Sequence, residues 1–123
     1  MSAVETPPVD PRPLVEAGLL AGVRCSACGH AHATRVSRCA RCRAADWEDT
    51  RFGPEGTVWS TTTLHVASGS RIAPYTLAYV DIDDGPRVLA HVADGPGLKL
   101  RVAERVRLAG QTAAGDPLVE VIR

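Results

Sequence analysis

The stretch CSACGHAHATRVSRCARC, residues 25–42, decides how the rest of the chain is read. It carries two C-x-x-C turns, Cys25 with Cys28 and Cys39 with Cys42, separated by ten residues, enough for a hairpin to return. In such a turn the backbone N–H groups point at the sulfurs, so each turn can present two thiolates to one ion, and two facing turns complete a tetrahedron. Gly29 follows the first turn, where a positive φ is often needed, and Arg43 holds the matching place after the second. The predicted outcome is a structural Zn²⁺ held by Cys25, Cys28, Cys39 and Cys42.

Other uses of the same cysteines stay open on the residues alone: buried or disulfide-linked thiols, iron in a four-sulfur site, or a catalytic zinc. The opening MSAVETPPVDPRP has neither a basic start nor an apolar run, which reads as a cytoplasmic rather than a secreted chain, and a reducing compartment favours metal over disulfides. Four thiolates leave no position for water, which disfavours a hydrolytic zinc. His30 and His32, between the turns, are alternative ligands that four cysteines make unnecessary. Binding free energies on the order of 10 kcal/mol or more for such sites make the ribbon dependent on its ion.

Outward from this segment, residues 1–19 are expected to form a flexible, proline-rich lead-in and a short helix over PLVEAGLLAG, with Asp10 as N-cap and Pro11 at the first helical position. The ribbon is expected over 20–46. AADWEDTRFGPEG then reads as a linker in which Trp47 and Phe52 pack against both neighbours. From Gly56 onward short alternating segments separated by Gly, Pro and Asp predict antiparallel strands. TVWSTTTLHV should place Val58, Leu64 and Val66 on one face and Trp59, Thr61, Thr63 and His65 on the other. TLAYVDI and RVLAHV form a hairpin across DDGP; LKLRVAERVRLAG holds a connection and a fourth strand, and PLVEVI is the fifth. The fold class is mainly β: a zinc ribbon followed by a five-stranded OB-fold barrel over 47–123.

Composition narrows the function. Lys+Arg and Asp+Glu balance at 14 each, and from Arg51 onward the barrel region holds eight of each, which argues against a general attraction to nucleic acid or an anionic membrane. The ribbon differs, with Arg24, Arg35, Arg38, Arg41 and Arg43 and no acid between Val23 and Ala45. These form either a solvated face or an anion-recognising patch. His65 and His91 are expected as barrel residues rather than catalytic bases, and Asp81, Asp83 and Asp84 as hairpin-turn chemistry. No nucleophile elbow, Walker loop, dinucleotide fingerprint or HExxH occurs, so no catalytic residues are assigned.

CSACGH, CARC, the Trp-containing linker, GTVWSTTTLH and TLAYVDIDDGPRVLAHV together resemble the acyl-CoA-associated OB-fold family with an N-terminal rubredoxin-like zinc ribbon. The likeness covers about residues 20–123. It implies a non-catalytic accessory subunit that binds a thiolase-like enzyme, an aldolase or a hot-dog hydratase. Such a subunit helps hold or pass CoA thioesters in lipid, steroid or polyketide-like metabolism, and an acyl-CoA would be shared with that partner. The family's usual glycine before the fourth strand is replaced here around Ala103. The competing expectation is a single-stranded nucleic-acid binder, since ribbons and OB barrels both do that work, with Trp59, Tyr75 and Tyr79 as stacking platforms.

Overall fold

The computed structural model describes residues 12–66, 74–93 and 99–122. Every regular element among them is a strand: β1 (Leu14–Glu16), β2 (Leu19–Cys25), β3 (Ala31–His32), β4 (Trp47–Phe52), β5 (Glu55–Leu64), β6 (Tyr75–Ile82), β7 (Arg87–Val92), β8 (Arg105–Gln111) and β9 (Pro117–Val121).

The expected helix over PLVEAGLLAG is instead a hairpin. β1 and β2 pair antiparallel with Glu16 opposite Leu19, so the loop is only Ala17 and Gly18, both at positive φ (52° and 77°). That geometry matches the twist of flanking strands and makes the tight turn. The apolar residues at 14, 15, 19 and 20 fit two short strands as well as a helix face, and pairing to β4 decides between them. The buried pair Val15 and Leu20 docks on the barrel core. The cap assigned to Asp10 and Pro11 lies outside the described residues.

The supposed linker is also a strand. Trp47 to Phe52 pairs with β2 from Cys25 back to Leu20, while β1 and β3 share β2's other edge. Gly22 permits this crowding: a Cβ there would stand 2.5 Å from the His32 carbonyl oxygen and 2.8 Å from the Phe52 ring. The ribbon sheet therefore runs from 14 to 52. As expected, Phe52 bridges the two halves, because it is buried in one cluster with Val15, Leu20 and the barrel core. Trp47 stays with the ribbon, edge-on to His32.

Strands β5-β6-β7-β9-β8 close into a barrel, with β8 returning to β5. All pairings are antiparallel except β7 with β9. This is the predicted five-stranded OB arrangement. Its core is Val58, Ala78, Val80, Ile82, Val88, Ala90, Leu100, Val106, Leu108 and Val119, built from branched aliphatics as the few aromatics require. The long first strand bends at a bulge between Val58 and Ser60. Trp59 lies on the face opposite Val58 as expected, outward at 51% exposure, but past the bulge the alternation read from the sequence fails: Val66, beyond the strand's end, is 77% exposed rather than core-facing. Ala103, before β8, takes φ 73°, the left-handed conformation that glycine adopts without cost.

The DDGP turn forms as expected. Asp84 takes φ 53°, Asp81 accepts two hydrogen bonds from Arg87 across the hairpin, and Asp83 accepts two from Arg105 of β8. Among the described residues no helix is long and apolar enough to cross a membrane.

Candidate metal centre and the adjoining basic cavity

The two cysteine turns repeat one another bond for bond. Gly29 N–H donates to the Cys25 carbonyl at 2.8 Å, and Arg43 N–H donates to the Cys39 carbonyl at 2.9 Å. Cys25 N–H reaches the His30 carbonyl at 2.9 Å, and Cys39 N–H reaches the Ala44 carbonyl at 2.8 Å. Gly29 and Arg43 both take positive φ, 80° and 67°. Arg43 thus adopts the glycine geometry of the first turn, and the second half is no departure in shape. Cys25 is delivered by the end of β2, whose neighbour β4 holds it in register with Trp47.

All four sulfurs lie within 4.8 Å of one another, with Cys25 to Cys42 at 3.5 Å and Cys28 to Cys39 at 3.7 Å. A disulfide needs about 2.05 Å, so these are free thiols converging on a point. Zn–S bonds of about 2.3 Å place tetrahedral sulfurs about 3.8 Å apart, and this cluster matches that spacing. The four cysteines could therefore hold one metal ion, and they are the group of that kind among the described residues.

The local electrostatics fit a cation. The Cys28 backbone N–H leads in drawing the Cys25 thiol below its ordinary value. Burial opposes ionisation of Cys39, but the His32 imidazole and the N–H groups of Cys42 and Arg41 together bring it down to about 5. At Cys42 the Ala44 N–H favours the thiolate, yet the three neighbouring sulfurs push it up to about 12. Four thiolates cannot crowd together without a positive ion between them.

His30 and His32 stand beside this cluster rather than in it. Their rings meet edge to face at 4.8 Å, and His32 meets Trp47 in the same way. His32 Nε2 is buried and lacks a hydrogen-bond partner. His65 is exposed just beyond β5. His91 is a barrel residue, as expected, stacked on Tyr75 and 3.5 Å from Asp116. That acid lies 25 positions away in the sequence, too far for spacing alone to pair it with His91; the β7–β9 pairing beside it brings it close.

The five ribbon arginines do not form one patch. Arg35 pairs with Asp49, and Arg38 reaches the Arg43 carbonyl at 3.4 Å. Arg24 donates to the carbonyls of Gly29 and Asp84 at 2.8 and 2.7 Å while lying over the Phe52 ring, tying ribbon to barrel turn. Arg24 and Arg41 then face Arg87 of β7 across a cavity of about 540 Å³ that His30, His32 and Asp84 also line. Arg87 is the contributor the sequence could not reveal, because it comes from the other half of the chain.

Comparison with known proteins agrees with this architecture. The family described as ChsH2, C-terminal OB-fold domain, matches residues 49–111. A DUF35 domain-containing scaffold protein of Methanocaldococcus jannaschii is 29% identical over 86 residues, 68% of this chain and 61% of that protein. The benzoylsuccinyl-CoA thiolase subunit BbsA of Thauera aromatica is 27% identical over 104 residues, 81% of this chain and 72% of that one. The BbsA of Geobacter metallireducens is 29% identical over 89 residues, 72% of this chain and 60% of that protein. The chain thus spans about three fifths of the length of two of these relatives. The solved Ltp2-ChsH2(DUF35) aldolase superposes with a TM-score of 0.69 over 84% of each chain at 22% identity, which shows the shared fold. With the match covering half of its length, including four of the five barrel strands, this chain belongs to the ChsH2 C-terminal OB-fold domain family, a family of acyl-CoA-associated OB-fold proteins.

Proposed function

We propose that the chain is a non-catalytic accessory subunit of an acyl-CoA-processing enzyme, thiolase-like, aldolase or hot-dog hydratase. On this reading it supports the binding or transfer of a CoA thioester in cytoplasmic lipid, steroid or polyketide-like metabolism. The observation that carries the reading is a ribbon and barrel joined by a shared core, in a chain similar to proteins called a scaffold and thiolase subunits. An all-sulfur site has every coordination position taken by protein, which suits architecture rather than turnover.

Cys25, Cys28, Cys39 and Cys42 would hold Zn²⁺. The ion supplies a cross-link between the two turns and neutralises their thiolates. The chain's own residues do the rest. Phe52 at the end of β4 and Arg24 fasten the ribbon to the barrel, so that both present one continuous surface. The nucleic-acid reading is weakened by Trp59: the Arg87 guanidinium lies 3.8 Å over its ring and occupies the face a base would need.

The test is affinity purification of the tagged full-length chain from its native cell, with mass spectrometry and metal analysis of the product. We expect a thiolase-like, aldolase or hydratase subunit in stoichiometric yield and one zinc per chain. A monodisperse chain that never retains such an enzyme would overturn the proposal.

A further inference from the structure

The geometry points to the cavity between the first cysteine turn and the β6–β7 turn as a binding site for a phosphate ester, with Arg24, Arg41 and Arg87 converging on it. Two of the three guanidiniums are already fixed. The Gly29 and Asp84 carbonyls hold Arg24. Asp81, through hydrogen bonds of 2.6 and 3.1 Å, and the Trp59 ring hold Arg87. Such anchoring removes most of the ordering cost when a ligand arrives. Arg41 is different: it is exposed, lines the cavity, and has no acidic partner among the described residues.

The charge on the walls is positive even when Asp81 is assigned to Arg87 and the lining Asp84 is counted against the rest. His30 and His32 complete the ribbon side of the same wall. Planar guanidinium forks on opposite walls suit the several oxygens of a phosphate better than the single plane of a carboxylate. A volume of about 540 Å³ admits a nucleotide-sized anion, and the mouth is wide enough for the remainder of a longer ligand to leave. Arg41 would close on the phosphate from the ribbon side, and the site exists only because ribbon and barrel are docked. Taking CoA as the source of that phosphate rests on the accessory-subunit reading above; free phosphate is the other source of the same chemistry.

Calorimetric titration of the zinc-loaded full chain at low salt tests this, with adenosine 3′,5′-bisphosphate, CoA, dephospho-CoA and inorganic phosphate as probes. We expect saturable binding of the bisphosphate and of CoA. Arg41→Gln should weaken it about ten- to a hundredfold, the loss of a charge-assisted contact. Arg38→Gln, on the same ribbon but away from the cavity, should leave it unchanged. In wild-type protein the bisphosphate should also shield Arg41 from an arginine-modifying dicarbonyl, read by mass spectrometry, which needs no variant to fold.

Weaker binding of dephospho-CoA identifies the 3′-phosphate, whereas equal, Arg41-dependent binding of inorganic phosphate supports the site with free phosphate as its ligand. Absence of saturable binding, or equal losses in the Arg41 and Arg38 variants, would refute it. A wild-type chain that recovers its enzyme but binds no phosphate removes the site alone. Phosphate binding with no enzyme recovered removes the accessory-subunit reading instead.

Discussion

Phe52→Ala should unfold ribbon and barrel together. Phe52 is 3% exposed and, among the described residues, is the one aromatic side chain in a core otherwise made of Val, Leu, Ile and Ala. Its ring lies between Gly22 of β2 and Gly85 of the β6–β7 turn, close enough that a Cβ on either would stand 2.8 or 3.0 Å from Phe52 atoms. Because both of these flanks are glycine, neither has a side chain that could fill the space after truncation. The cost should fall at the upper end of the range for Phe→Ala, about 4–5 kcal/mol. For a chain of this size each kcal/mol moves the midpoint by about 3–5 °C, so a fall of about 12–25 °C is expected. The two tryptophans divide the readout, Trp47 in ribbon strand β4 and Trp59 in barrel strand β5. Thermal melts of zinc-loaded Trp47→Phe and Trp59→Phe backgrounds, followed by fluorescence, should give coincident midpoints that shift together. A drop below about 5 °C, or a Trp59 signal unmoved while Trp47 shifts, would refute the shared core.

Other outcomes follow from the same contacts. Chelation of the metal should expose residues 29–38 to proteolysis and lower the barrel's midpoint as well, since Val15, Leu20 and Phe52 belong to both halves; unchanged proteolysis after complete metal loss would count against the four-sulfur anchor. Gly56→Val should be severely destabilising, because a Cβ there meets the Asp81 carbonyl oxygen at 2.7 Å and Val80 at 2.8 Å, and chemical denaturation showing a loss under about 1 kcal/mol would contradict that crowding. Ala103→Gly should raise stability by a few tenths to about 1 kcal/mol by relieving φ 73°, and a clear loss would show the strain argument to be wrong. Arg105 holds the Asp83 carboxylate below its ordinary value. The pair's contribution is thus present above about pH 4 and fades as pH falls through the folded-state value. The small stability gap between wild type and Asp83→Asn should therefore close in acid, and a gap constant from about pH 2 to 7 would exclude the pairing.

What the sequence made legible is chemistry that a few adjacent residues settle among themselves. Two C-x-x-C turns fix four sulfurs, and the bond-for-bond repetition of Cys25–His30 in Cys39–Ala44 needs nothing from the rest of the chain. D-D-G-P between two alternating runs likewise fixes the β6–β7 hairpin. The misread segments are those whose fate is decided at a distance. Residues 14–22 carry apolar positions that suit a helix or two strands, and the turn that decides uses Ala17 at positive φ, a residue that gives no turn signal. Asp, Glu and Arg in WEDTRF look like a solvated linker until β2 offers an edge, whereupon their side chains face water from a strand. The bulge after Val58 breaks the alternation from Ser60 onward for a reason lodged in β6, where Val80 and Tyr79 oppose Val58 and Ser60. The cavity belongs with these. Five arginines in the ribbon suggested a patch, but the fold disperses them and recruits Arg87 from beyond the ribbon, so that the anion site belongs to neither half. A surface assembled by docking in this way is lost when either half is removed, which is why ribbon and barrel have to be tested as one molecule.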